Sequence, residues 1–427
     1  MEGLLIAVFV LGYLAITLEH TIKIDKAASA MITGVLCWTI YISSETDHHA
    51  VVHHLEAHLG EISGILFFLL GAMTIVELID AHDGFEILTD RIQTTEKRKL
   101  LWLTGLITFF LSAALDNLTT TIVMVSLVRK LIADREDRLF FAGLIVVAAN
   151  AGGAWSPLGD VTTTMLWIGG QITASNIVIM LIVPSLVCLL APLLMLSPRM
   201  KGQVETPEKN QSDVITPRHE RNTVFTLGLA CLLFVPVFKT LTHLPPFMGM
   251  LLGLGVMWVV TELIHSEKDE REKGPLSVLH ALRKIDTPSI LFFLGILMAV
   301  ATLQSTGILT QLAGWLDRTV HNITAIGIII GFLSAIVDNV PLVAAAQGMY
   351  SMEQFPTDHY FWEFLAYCTG TGGSALIIGS AAGVAAMGIE NIRFGWYLRR
   401  ITIWAVVGYL AGAVAYILQA QLVHAGG

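Results

Sequence analysis

Apolar residues fall into blocks separated by short charged segments, and the blocks approach the roughly 20 residues that cross a bilayer core. Windows at 4–22, 27–44, 62–82, 139–168 and 175–197 form one set of spans, and windows at 222–241, 246–264, 288–308, 360–390 and 396–420 form a second. Between the third and fourth members of each set lies a segment of another kind. Residues 99–112 and 118–132 are apolar arms around Asp116 and Asn117. At helical rise each arm covers roughly 21 Å, too little for a core about 30 Å thick. The pattern therefore predicts a re-entrant hairpin over 99–132 with a buried tip, and 322–352 repeats it around Asp338 and Asn339.

Internal repetition supports the two sets. SGILFFLLGAMTIVEL (63–78) matches PSILFFLGILMAVATL (288–303), SAALDN (112–117) matches SAIVDN (334–339), and NAGGAWSPLGD (150–160) matches TGTGGSALIIGS (369–380). Each half carries an odd number of spans, so the second copy is expected upside down in the membrane. The predicted fold class is an all-α polytopic membrane protein of two inverted repeats of five spans, each with a re-entrant hairpin and a broken helix. Repeat one is 1–197 (hairpin 99–132, broken helix 139–168), the polar stretch 198–221 is a cytoplasmic linker, and repeat two is 222–427 (hairpin 322–352, broken helix 360–390). With both termini outside, all but Lys239 and Arg318 of the 25 basic residues fall on the cytoplasmic side, as the positive-inside rule requires.

Composition changes the picture by exclusion. The chain is 54% hydrophobic and only 14% charged, against about 25% charged in soluble proteins, so much of its surface faces lipid. A net charge of -9 and the absence of a long basic run argue against a nucleic-acid partner. Cys37, Cys188, Cys231 and Cys368 sit singly in apolar stretches, as small buried residues. The N-terminus lacks a basic leader and a cleavage site and reads as a retained first span.

Ionisable groups at membrane depth cost several kcal/mol and ask for a reason. Asp116 and Asp338 stand at the two hairpin tips, beside Asn117 and Asn339. A plain capping role for these Asp-Asn pairs is the alternative. Glycine pairs, with Pro157 in the first copy, break the spans at 150–160 and 369–380 and free backbone groups to line a cavity or hold an ion. Oxygen-only donors suit a hard cation such as sodium or lithium. The expected ion- and proton-binding set is Asp116, Asn117, Asp160, Asp338, Asn339, Asn150, Ser156, Thr163 and Thr371, with Na+ at Asp116, Asp160, Asn117 and Ser156. With no Arg or Lys expected at membrane depth, an anionic substrate is disfavoured. A carboxylate in such a place can be neutralised by a proton or by a sodium ion, and that competition yields exchange.

Secondary candidates are Glu77, Asp80, Thr120, Ser374 and Ser380. Glu77 and Asp80 read first as a wet helix end, and His48, His49, His53, His54 and His58 as a solvated outer loop. No nucleophile-base pair or metal cluster stands among the spans, so neither an enzyme nor a cofactor is expected. A channel would suit the polar tips, but paired broken helices fit alternating access better.

The stretches SAALDNLTTTIVM (112–124), NAGGAWSPLGDVTT (150–163), SAIVDNVP (334–341) and TGTGGSALIIGSAAG (369–383) resemble the NhaD-type sodium/proton antiporters of the ion transporter superfamily, over essentially the whole chain. The resemblance implies exchange of sodium or lithium for protons across the bacterial inner membrane, and a homodimer in membrane lipid. Dicarboxylate relatives carry Ser-Asn-Thr at the tips where this chain has Leu-Asp-Asn and Val-Asp-Asn, whereas arsenite permeases share the Asp-Asn tip and are the alternative.

Overall fold

The computed structural model describes residues 2–89, 92, 94–205, 216–336 and 338–424. Among them the chain is helical, and the one non-helical pairing is a bridge between Glu96 and Gln203. The first half comprises α1 (Glu2–Thr17), α2 (Lys26–Ser44), α3 (His48–Ala81), α4 (Lys97–Leu115), α5 (Asn117–Leu131), α6 (Arg135–Gly153), α7 (Val161–Ile168) and α8 (Ala174–Leu196). The second comprises α9 (Arg218–Thr242), α10 (Pro246–Ile264), α11 (Thr287–Ser305), α12 (Ile308–Val320), α13 (Ile323–Leu333), α14 (Asn339–Met349), α15 (Tyr360–Gly372), α16 (Ala381–Glu390) and α17 (Thr402–His424).

Eight helices among the described residues are long and apolar enough to cross a bilayer. Seven are expected spans. The eighth is α4, the first arm of the expected hairpin, which has 19 residues and so reaches about 28 Å at helical rise. The arm is longer than its apolar run because Lys97 and Arg98 begin it and Leu115 ends it, against the turn at Asp116. Spans 139–168 and 360–390 are interrupted, α6 to α7 and α15 to α16.

The histidine-rich segment is not a loop. It forms the first turns of the 34-residue α3, with Asp47 capping through the Ala50 amide at 3.1 Å and Val51 buried beside Trp38 and Tyr41. Apolar residues at 51, 55, 59 and 62 keep helical spacing through the polar stretch, and this outweighs the histidines. An unexpected helix, α12, also precedes α13 and meets it at 115°. Residues 206–215 of the expected linker lie outside the described residues. On its described flanks, Val204 donates its amide to Thr95 O, and the Thr216 hydroxyl donates to Asp83 at 2.7 Å.

Two close approaches position the site. Helices α2 and α11 cross where a Cβ on Gly34 would stand 2.6 Å from the Gly295 carbonyl, and Trp38 Nε1 donates to Met298 O at 2.9 Å. Small residues give tight packing where lipid offers no hydrophobic drive. At each helix break the geometry recurs. Ser112 Oγ donates to Ala149 O at 2.6 Å and Ser334 Oγ to Thr369 O at 3.0 Å. A Cβ on Gly152 would meet Phe109 O at 2.2 Å, and one on Gly372 would meet Gly331 O at 2.1 Å.

Beyond the ends of α3 and α10, buried His82 and His265 stack, with Nε2 atoms 2.8 Å apart. His82 Nδ1 lies 2.7 Å from Leu78 O, which can only accept, so that nitrogen carries a proton. In neutral His82 Nε2 then accepts from His265. Burial, then the charges of Lys268 and His82, push the His265 imidazole down to about 4 despite Glu220 nearby.

An unfolded histidine takes a proton near pH 6.5, but the folded His265 waits until about 4. Between those values only the unfolded chain binds the proton, so stability rises with pH through that window and levels off above it. Thermal melts of purified protein from pH 4 to 7 should show this slope, flattened in His265→Gln. Separately, Gly372→Ala should destabilise by about 1–3 kcal/mol through overpacking, whereas Gly255→Ala, with open space at its Cβ, should leave the melting temperature unchanged or raised.

Candidate ion-binding site

The interruptions bring helix beginnings together inside the bundle. Asp116 precedes α5 and accepts from the Thr119 amide and hydroxyl, both at 2.8 Å. Asp160 precedes α7 and accepts from the Thr162 amide at 2.9 Å and hydroxyl at 2.7 Å. Asp338 precedes α14 and accepts from the Val340 amide at 3.2 Å, and Ser380 precedes α16 and accepts from Gly383 N at 3.2 Å. The capping role is therefore real. It does not compete with a site, because Asp116, Asn117, Asp160, Asp338 and Asn339 also line one cavity of about 60 Å³.

Asp160 is the most heavily held of the three carboxylates. It is 1% exposed, and beyond Thr162 it accepts from Asn117 Nδ2 at 2.7 Å and from Asn339 Nδ2 at 3.3 and 3.4 Å. The two tips thus meet across one carboxylate from the broken helix. Asn150 forms the layer behind: its Oδ1 accepts from Asn117 at 2.9 Å, and its Nδ2 donates to Ser374 and Ser380, each at 2.9 Å.

Other expected ligands lie elsewhere. Ser156 turns its hydroxyl to Ala113 O at 2.5 Å and borders an apolar groove between α4 and α9, away from the cavity. Thr163 donates to Ser156 O and Asp160 O, and Thr371 donates to Tyr367 O, so both spend their hydroxyls on local backbone. A turn rich in freed carbonyls offers these short hydroxyls nearer acceptors than an ion. Among the described residues, buried Thr120 has no hydrogen-bond partner for its hydroxyl. Glu77 pairs with Lys284 at 3.2 Å, and Asp80 lines a separate cleft with Glu86 and Lys130.

Lys26 corrects the expectation of a site without a cation. Its Nζ lies 3.5 Å from Asp338 Oδ2 and 4.5 Å from the centre of the Phe292 ring, and it lines the same cavity. The charge pattern places it with the basic residues of the cytoplasmic side. No local signal reports that α2 crosses α11, some 260 residues away, and so carries Lys26 to Asp338.

The family described as "Citrate transporter" matches residues 4–362. "Sodium/proton antiporter 1" and "Sodium/proton antiporter 2" of Arabidopsis thaliana are 49% and 46% identical over 96% of this chain, covering 71% and 97% of their own lengths. "Na(+)/H(+) antiporter NhaD" of Alkalimonas amylolytica is 31% identical over 98% of this chain and 91% of its own. Among solved structures, the YdaH transporter of Alcanivorax borkumensis has a TM-score of 0.57 at 12% identity, with 89% of this chain and 90% of that one covered, a likeness of fold. The family match over most of the chain and the full-length likeness to these antiporters agree with the Asp-Asn tips: the chain belongs to the NhaD-type sodium/proton antiporters of the ion transporter superfamily.

Proposed function

We propose that the chain exchanges sodium or lithium ions for protons by alternating access across a bacterial inner membrane, with both termini outside, without a cofactor, and as a homodimer, as the family likeness implies. The observation that carries the reading is the convergence of Asp116, Asp160 and Asp338, with Asn117 and Asn339, on one small cavity. Oxygen donors suit a hard cation. A volume of about 60 Å³ holds a few water-sized bodies, whereas pockets for larger ligands run to several hundred Å³. A tricarboxylate, which the family description would suggest, also needs cations, and Lys26, which lines the cavity, is already committed to Asp338.

Neighbouring carboxylates cannot all stay charged without a counter-ion, and either a proton or an alkali ion meets that demand. Asp160, held by donors from Thr162, Asn117 and Asn339, is the most fully satisfied of the three. Asp116, with fewer partners, is where proton and alkali ion alternate.

Two inverted repeats are supported by the matched contacts at the breaks, Ser112 with Ser334 and Gly152 with Gly372. The orientation is supported by ion pairs gathered at one end of the bundle, among them Lys97–Asp137, Lys130–Glu86, Lys268–Glu220 and Lys284–Glu77. In this reading α4 to α7 and α13 to α16 move against α2, α3, α10 and α11, opening the cavity to one side at a time.

Asp116 holds φ 95° and ψ 158°. That region is open almost solely to glycine and costs on the order of 1–3 kcal/mol for other residues. In everted vesicles, sodium and lithium should dissipate a pH gradient, and potassium and arsenite should not. Asp116→Asn should lower the sodium response by about tenfold or more, equivalent to about 1.4 kcal/mol; full activity would remove Asp116 from the mechanism. Asp116→Gly should melt at least as high as the wild type, since relieved strain outweighs a cap worth about 1 kcal/mol, yet fail to exchange.

A further inference from the structure

We infer that Lys26 is a built-in counter-ion for Asp338: it holds that carboxylate while the cavity is without an alkali ion, and an entering ion displaces it. The inference rests on the exchange reading above and adds to it a residue that sets ion affinity.

The geometry separates the two partners by element. The backbone of Lys26 is fixed on the α2 side, where Asp25 caps the helix through the Ala27 amide at 2.7 Å and α2 is pressed against α11 through Gly34 and Gly295. Asp338 sits on the other side, at the start of α14. The ion pair between them therefore bridges elements that the exchange cycle moves apart. The pair is largely enclosed, with side chains 24% and 18% exposed.

Asp338 is lightly held compared with Asp160. Its capping bond is a single amide at 3.2 Å, and Lys26 supplies the opposite charge. An alkali ion entering a cavity of this size cannot share Asp338 with an ammonium group, because like charges within a few ångströms repel. A lysine is a point charge on a flexible four-carbon stem, and the Phe292 ring 4.5 Å away offers the displaced ammonium a second seat. When the ion leaves, the ammonium returns. Lys26 thereby weakens ion binding, speeds release and keeps Asp338 paired between loads.

The test measures sodium-dependent proton flux in everted vesicles across a range of NaCl for the wild type, Lys26→Met and Lys26→Arg, with each variant checked for a monodisperse peak in detergent. Lys26→Met should lower the sodium KM by about tenfold and lower the maximal rate, since the ion no longer has a competitor and is released slowly. Lys26→Arg, whose two-pronged guanidinium grips a carboxylate more firmly, should raise the KM by about threefold or more. A structural role alone would not move KM in opposite directions. An unchanged or raised KM in folded Lys26→Met overturns the inference. If that variant is not recovered folded, an unchanged or lowered KM in Lys26→Arg overturns it. A wild type without sodium-dependent flux would instead remove the exchange reading itself.

Discussion

A helix that stops inside a membrane protein leaves backbone donors and acceptors with no water to receive them. In this chain α4, α6, α13 and α15 end within the bundle, and α5, α7, α14 and α16 begin there. Each beginning presents amides that an anion satisfies better than a neutral group. Asp116, Asp160 and Asp338 answer three of the four, and Ser380 the last. The acids thus have a capping role in the architecture before any ion is considered, though Ser380 shows that a neutral cap also serves, and the three acids line one cavity.

The two halves share this construction but fill it differently. Where the first break has Asn150 and Asp160, the second has Gly370 and Ser380. Asn150 and Asp160 receive the network, while Ser374 and Ser380 serve as acceptors for Asn150 from across the bundle. One tip holds its backbone in a glycine-like conformation and the other does not, since Asp338 has φ -49°. Matching contacts at the two breaks thus accompany one cavity with three acids.

Much of this was legible in the sequence because periodicity, glycine pairs and duplicated motifs are local signals. The helix interruptions within 150–160 and 369–380 fall in the glycine-rich stretches, and helices begin at Asn117 and Asn339, just after Asp116 and Asp338. What escaped depended on three-dimensional neighbours. The histidine run was read by polarity, although the residues between kept helical spacing into α3. Ser156 and Thr163 were plausible donors by type, but the acceptor each meets depends on which carbonyl the broken turn presents. Lys26 was invisible for the same reason: its role comes from the crossing of α2 with α11, which no short stretch encodes.

Glu390, at the end of α16, receives Arg129 from α5 and Arg138 from α6, each at 3.3 Å. A buried acid gripped by two guanidinium groups is hard to release, because parting them would strand charge away from water. The clasp ties the last turn of α16 to α5 and α6, elements far away in the sequence. Elements far apart in covalent order are thereby neighbours in charge, and a change at Glu390 would be felt by both arginine-bearing helices at once.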